Sequence, residues 1–107
     1  MICETQRARM ANVCSMFFLS GTKTPIHRHK ETREVVVCIY GSAIEHFYDN
    51  EGNETEVVRL AAGSDIPGVV VEKRRFHSLE ATDEMGVVCG VKAGKYFPMQ
   101  SNDILNN

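Results

Sequence analysis

His27 and His29 stand two residues apart within Gly-Thr-Lys-Thr-Pro-Ile-His-Arg-His-Lys-Glu-Thr-Arg-Glu-Val-Val-Val-Cys-Ile-Tyr-Gly, residues 21–41. In an extended chain successive side chains alternate between faces, so these two imidazoles project to the same side and can grip one ion. Glu34 follows five residues after His29 and has the wrong parity to join the pair on one straight strand. It joins them if the polar stretch 30–33 turns the chain back as a hairpin. Neutral imidazoles together with a carboxylate suit one divalent transition ion: iron, manganese, nickel, cobalt or zinc.

The elements that must position these groups read as strands. Residues 9–19 are rich in Val, Phe, Met and Cys without a helical stripe, and 26–29 form a short histidine-bearing strand. Residues 35–39 are β-branched at four of five positions, and 42–48 continue beyond Gly41. The stretch 49–53 is a hairpin turn by composition, with Gly52 suited to positive φ, and 54–60 returns as its partner. Further strands are expected at 69–71, 76–80 and 85–91, separated by a loop at 61–68 and charged turns at 72–75 and 82–84. About eight short strands with turn signals between them predict an antiparallel sandwich or barrel.

The 107 residues correspond to one domain, with a core over 9–98 and flexible ends at 1–8 and 99–107. A net charge of −2 lacks the basic excess of general nucleic-acid binding. Cys3, Cys14, Cys38 and Cys89 form no Cys-x-x-Cys pair, which excludes a zinc knuckle or thioredoxin-like motif. Free buried thiols at Cys14, Cys38 and Cys89 fit a reducing cytoplasm. The apolar run 16–19 is shorter than the roughly 7–15 residues of a signal-peptide core, and nothing approaches the ~18 apolar residues of a membrane span.

The spacing Gly21, five residues, His27-x-His29, four residues, Glu34, six residues, Gly41 matches the first signature motif of the cupins at every defined position. The chain resembles that superfamily (RmlC-like), which implies an all-β double-stranded β-helix, or jelly-roll barrel. The second cupin motif supplies one more histidine ligand, and His77 holds that place. The metal set implied is therefore His27, His29, Glu34 and His77, which leaves coordination positions open for water, oxygen or substrate. The motif departs from the family where Glu72 replaces a proline, Arg74 a glycine and Ala81 an asparagine, so the turn before His77 is expected to have a different backbone.

Positions in phase with Glu34, namely Val36, Cys38 and Tyr40, are expected to line the cup. Tyr40 and Glu45 are candidates for proton transfer, with amphipathic packing the alternative for Tyr40. Cys38 is expected to be buried and inert rather than a redox group. His46 is expected to be structural or exposed. Arg28, between the two histidines, and Arg74 and Arg75, just before His77, are candidates for binding an anionic ligand. Apolar residues at both parities in 16–19 and 35–37 predict that a second copy covers one sheet, as a homodimer.

Residues 25–29, 47–52, 77–80 and 88–96 together look like the WbuC family of small cupin-fold metalloproteins, a similarity spanning roughly 7–98. That resemblance implies a role in bacterial surface-polysaccharide metabolism. The enzyme implied is metal-dependent, isomerase- or epimerase-like or dioxygenase-like, and acts on a sugar or sugar nucleotide. A non-catalytic module that senses or stores a small ligand is the alternative. A metal-independent deoxysugar epimerase would want a His-Asp pair and a catalytic tyrosine, and the metal set speaks against it.

Overall fold

A computed structural model describes residues 12–19, 21, 23–82, 85–93 and 99–105, with 12–19 and 93 described as backbone only. Its strands are β1 (Asn12–Leu19), β2 (Ile26–His27), β3 (Glu34–Tyr40), β4 (Ser42–Tyr48), β5 (Glu54–Ala61), β6 (Gly68–Val71), β7 (Phe76–Ala81), β8 (Gly86–Ala93) and β9 (Ile104–Leu105). They form a four-stranded sheet in the order β1-β8-β3-β6 and a five-stranded sheet in the order β5-β4-β7-β2-β9. All pairings are antiparallel. The architecture is the all-β jelly roll expected. The expected extension of the first strand to residue 9 and the end 1–8 fall outside the described residues.

Alternation explains the burial. Along β3, Glu34, Val36 and Cys38 are buried while Val35 and Ile39 are exposed, and along β4, Ala43, Glu45 and Phe47 are buried. These inward residues meet Leu60, Val71, Leu79, Ala81 and Val88 in one core between the sheets. Burying each large apolar side chain stabilises the fold by about 1.5–3 kcal/mol.

Gly41 turns the chain from one sheet to the other. It has φ 71°, a conformation glycine adopts without steric cost, and a Cβ there would collide with the Met85 carbonyl oxygen. Just before it the pairing of β3 with β8 shifts register between Cys38 and Tyr40. Such a bulge re-aims the side chain that follows. The expected hairpin at 49–53 forms between β4 and β5, where Asp49 Oδ1 accepts from the backbone N–H groups of Glu51 and Asn53, both at 2.9 Å. Gly52 has the positive φ anticipated for it.

Two expectations change. The polar stretch 30–33 does not close a hairpin: β2 lies in the five-stranded sheet and β3 in the four-stranded one, so the chain crosses the sandwich there. The tail is also more than a polar end. β9 pairs with β2, and Leu105 packs on Ile26, Tyr48 and Phe76, a second apolar cluster on the outer face of the five-stranded sheet. Two residues are too few to show a strand period.

Asp103, just before β9, is 4% exposed. It accepts from the Gln100 backbone N–H at 2.9 Å and the Arg28 guanidinium at 3.2 Å, with the Lys30 ammonium at 3.3 Å. These donors hold its carboxyl below the ordinary value, the backbone N–H foremost. Because the tail thereby clamps the strand carrying His27, Asp103→Ala should lower the thermal unfolding midpoint. A circular-dichroism melt with an unchanged midpoint would place the tail outside the cooperative fold.

Candidate metal centre

Three elements converge on one end of the core. β2 presents His27, and His77 lies directly opposite it on β7. His29 lies two residues further along, past the end of the short strand. Its backbone is fixed by the Arg74 N–H, which donates to the His29 carbonyl at 2.7 Å. Arg74 makes that bond with φ 67°, the left-handed conformation that favours glycine. Arg74 thus takes a conformation suited to the glycine expected at its place.

One ring nitrogen from each of His27, His29 and His77 lies within 4.8 Å of the others. The His27 Nδ1–H donates to the Pro25 carbonyl at 2.8 Å, and His77 Nδ1 meets Glu45 Oε2 at 2.8 Å. Both contacts leave Nε2 as the free atom. His77 Nε2 is buried without a hydrogen-bond partner, an expensive state for a polar atom unless something binds it. Glu34 enters from the facing sheet, its Oε1 at 3.7 Å from His29 Nε2 and 3.8 Å from His77 Nε2. Space for its carboxylate exists because residue 90 is glycine, where a Cβ would stand 2.5 Å from Glu34 Oε2.

Electrostatics suit a cation. Burial, with the charge of His77, pushes His27 down to about 4. Burial and the Lys92 ammonium push His29 down to about 3, and burial, partly opposed by Glu34, takes His77 to about 4. All three are neutral near pH 7, the form that donates a lone pair to a metal. Burial raises Glu34, with Lys92 and His77 opposing, and pushes Glu45 up to about 8. The set fits a divalent ion: three neutral nitrogens face one another, an orphaned Nε2 lies among them, and the Glu34 carboxylate stands beside His29 and His77.

The other sequence candidates disperse. Tyr40 is 63% exposed, because the bulge and Gly41 turn it away from the cavity, and this removes it as a cavity group. Val36 lines the cavity, but Cys38 lies in the core, its S–H donating to the Tyr40 and Gly41 carbonyls at 3.4 Å. Cys38 and Cys89 are free thiols, Cys89 only half-buried. Cys14 lies outside the described side chains. His46 faces away from Glu45, between Glu54 at 3.2 Å and Glu80 at 2.6 Å.

The three arginines proposed for an anion are likewise engaged or directed elsewhere. Arg28 alternates to the opposite face from its neighbouring histidines, paired with Asp103 and stacked 4.7 Å over Phe76. Arg75 pairs with Glu56 at 2.9 Å and lies 3.9 Å over the Phe47 ring. Arg74 is exposed, and none of the three lines the cavity. The cation that does is Lys92, directly opposite Glu34 on β8. Sequence reasoning passed over it, although Val88, Gly90 and Lys92 share one strand parity.

No family model matches this sequence, and no curated protein matches it either. Similar solved structures include a cupin-2 domain protein of Shewanella frigidimarina, with TM-score 0.60, 21% identity, and coverage of 75% of this chain and 68% of that one. The capsular polysaccharide assembling protein CapF of Staphylococcus aureus matches with TM-score 0.62 and 16% identity over 86% of this chain and 27% of its own. An E162A mutant of Bacillus subtilis oxalate decarboxylase matches with TM-score 0.60 and 24% identity over 78% of this chain and 20% of its own. The chain thus corresponds to only one part of each of the two larger proteins. The likeness establishes that this chain has the cupin fold.

The folded-state pKa of Glu45 lies above its ordinary 4.5, so its contribution to stability is complete below pH 4.5 and is lost as pH rises through about 8. The histidines act oppositely, with stability complete above 6.5 and falling as pH drops towards about 4. Between pH 6.5 and 8 the metal-free protein should therefore lose stability as pH rises, by at most about 1.4 kcal/mol per pH unit through Glu45. Glu45→Gln should reduce that slope in urea denaturation, and a wild-type slope of zero would contradict the assignment.

Proposed function

We propose that this protein is a small metal-binding cupin, a metal-dependent enzyme acting on a small anionic molecule, with His27, His29, Glu34 and His77 as the ligands of one divalent transition ion. The observation that carries this reading is the buried, partnerless Nε2 of His77 facing two further neutral imidazoles. When bound, the ion supplies Lewis acidity to an oxygen of the ligand. Glu45 holds the His77 ring and its Nδ1–H in place, as carboxylates do behind metal-bound histidines. It is thereby a positioning group rather than the proton-transfer residue expected. The Pro25 carbonyl does the same for His27.

A sugar or sugar nucleotide of bacterial surface-polysaccharide metabolism is the substrate class suggested by the WbuC resemblance. The fold likeness to the capsular polysaccharide assembling protein CapF supports it. The alternative, a non-catalytic binding module, gains from the exposure of Tyr40 and the commitment of Glu45 to His77, which disengage both residues expected to transfer protons. The reducing cytoplasm suggested by the scattered cysteines is the proposed location. Among the described residues no helix is long and apolar enough to cross a membrane.

Elemental analysis should find about one divalent ion per chain, and His27→Ala, His29→Ala and His77→Ala should each lose most of it. Wild-type metal content in all three variants would remove these residues from the site.

We further propose a homodimer through the outer face of the four-stranded sheet, where Val35, Ile39 and Val70 are 39%, 49% and 44% exposed. Val37, Val87 and Val91 add half-buried apolar surface between them. The run 16–19 also belongs to this sheet, in β1, though its side chains lie outside those described. Light scattering at micromolar concentration should give twice the chain mass; a monomer would reject this interface.

A further inference from the structure

The cavity holding the histidines has a volume of about 250 Å³, below the roughly 300–1,000 Å³ of sites that enclose drug-sized ligands. A nucleotide sugar exceeds it. Apart from the metal-site groups and Glu45, its walls are apolar except at Thr24 and Lys92 among the described residues. The Thr24 hydroxyl accepts from the Leu79 N–H at 2.9 Å, which leaves its O–H as a single donor. The several hydroxyls of a sugar buried against such walls would lose their water for few partners.

Lys92 is the only lysine or arginine that lines the cavity among the described residues. Its place is set by the sheet: opposite Glu34 across β3 and β8, on the inward face, with Nζ 3.8 Å from Glu34 Oε2. Its charge reaches the imidazoles of His27, His29 and His77. Once Glu34 and the histidines hold a divalent ion, Glu34 and Glu45 are the two carboxyls of the described walls that face that ion and the ammonium, and even with both ionised one positive charge is left over. An excess positive charge in a largely apolar cavity is costly unless an anion joins it.

We propose that Lys92 is the anion-recognition residue of this cavity, and that the ligand is a short-chain monocarboxylate whose alkyl body packs against Val36, Leu79, Val88 and Met99. This rests on the small-anion reading of the site and departs from the sugar class suggested by the WbuC resemblance. One ammonium, acting as a compact point charge, matches one carboxylate. A phosphate dianion calls for several convergent charged donors, and among the described residues the walls offer one cation, Lys92, beside the single Thr24 hydroxyl.

Calorimetric titration of wild type, Lys92→Met and Lys92→Arg with 3-methyl-2-oxobutanoate, isobutyramide and glucose 1-phosphate tests this. Each protein is studied after loading with Mn²⁺ or Zn²⁺ and again after chelator treatment, with metal content measured in parallel. The keto acid should bind wild type in preference to the amide and the phosphosugar. Lys92→Met should weaken it about tenfold or more at unchanged metal content, and Lys92→Arg should retain most of the affinity. Equal affinity in wild type and Lys92→Met, tighter binding of the phosphosugar, or no keto-acid binding in either metal state would overturn the proposal. Failure to load metal counts against the ligand set instead, and Lys92 is then judged on the metal-free titration.

Discussion

The contact between Glu45 and His77 anchors the whole site. Both groups are buried, at 0% and 3% exposure, in a cavity whose walls are mostly apolar. A lone ionised group there would cost several kcal/mol. Bonding Glu45 Oε2 to His77 Nδ1 satisfies one atom of each and leaves Glu45 Oε1 and His77 Nε2 unpartnered. The histidine is thus fixed with its free nitrogen pointed at His27 and His29. A packed apolar core would be more stable without this arrangement, which is why it reads as a binding feature rather than a structural one.

The rest of the fold holds this floor in register with what faces it. β7 carries His77 between β4, with Glu45, and β2, with His27. From the other sheet, β3 brings Glu34 and β8 brings Lys92 and the glycine that makes room for the carboxylate. The histidine strand is only two residues long, and it is held from outside by β9 and by the Asp103 bonds to Arg28 and Lys30. Loop positions held this way gain the precision that a longer strand would supply.

Much of this site was legible in the sequence because parity survives any choice of topology. His27 and His29 share a face whichever sheet takes them, and the cupin-like spacing marked Glu34 and His77. The route by which Glu34 arrives was not legible, since a polar stretch of four residues serves a hairpin or an inter-sheet crossing equally well. Arg28 shows the reverse: adjacency to two histidines in sequence is not adjacency in space, because strand alternation sends it to the other face. Arg74 and Arg75 failed for a related reason, as closeness to His77 along the chain says nothing of where long side chains find partners. Lys92 and Asp103 were visible as residues, but the pairing of β8 with β3 and of β9 with β2 is non-local and leaves no local pattern.

We propose that the free Nε2 atoms of three histidines and the carboxylate of Glu34 converge on one ion. Anomalous diffraction at the metal absorption edge, from crystals of the metal-loaded protein, tests it most directly. The expected result is one peak at about 2.0–2.2 Å from His27, His29 and His77 Nε2 and from a Glu34 oxygen. A peak bound elsewhere, for example between His46 and Glu80, with His77 Nε2 hydrogen-bonded to a protein group instead, would contradict it.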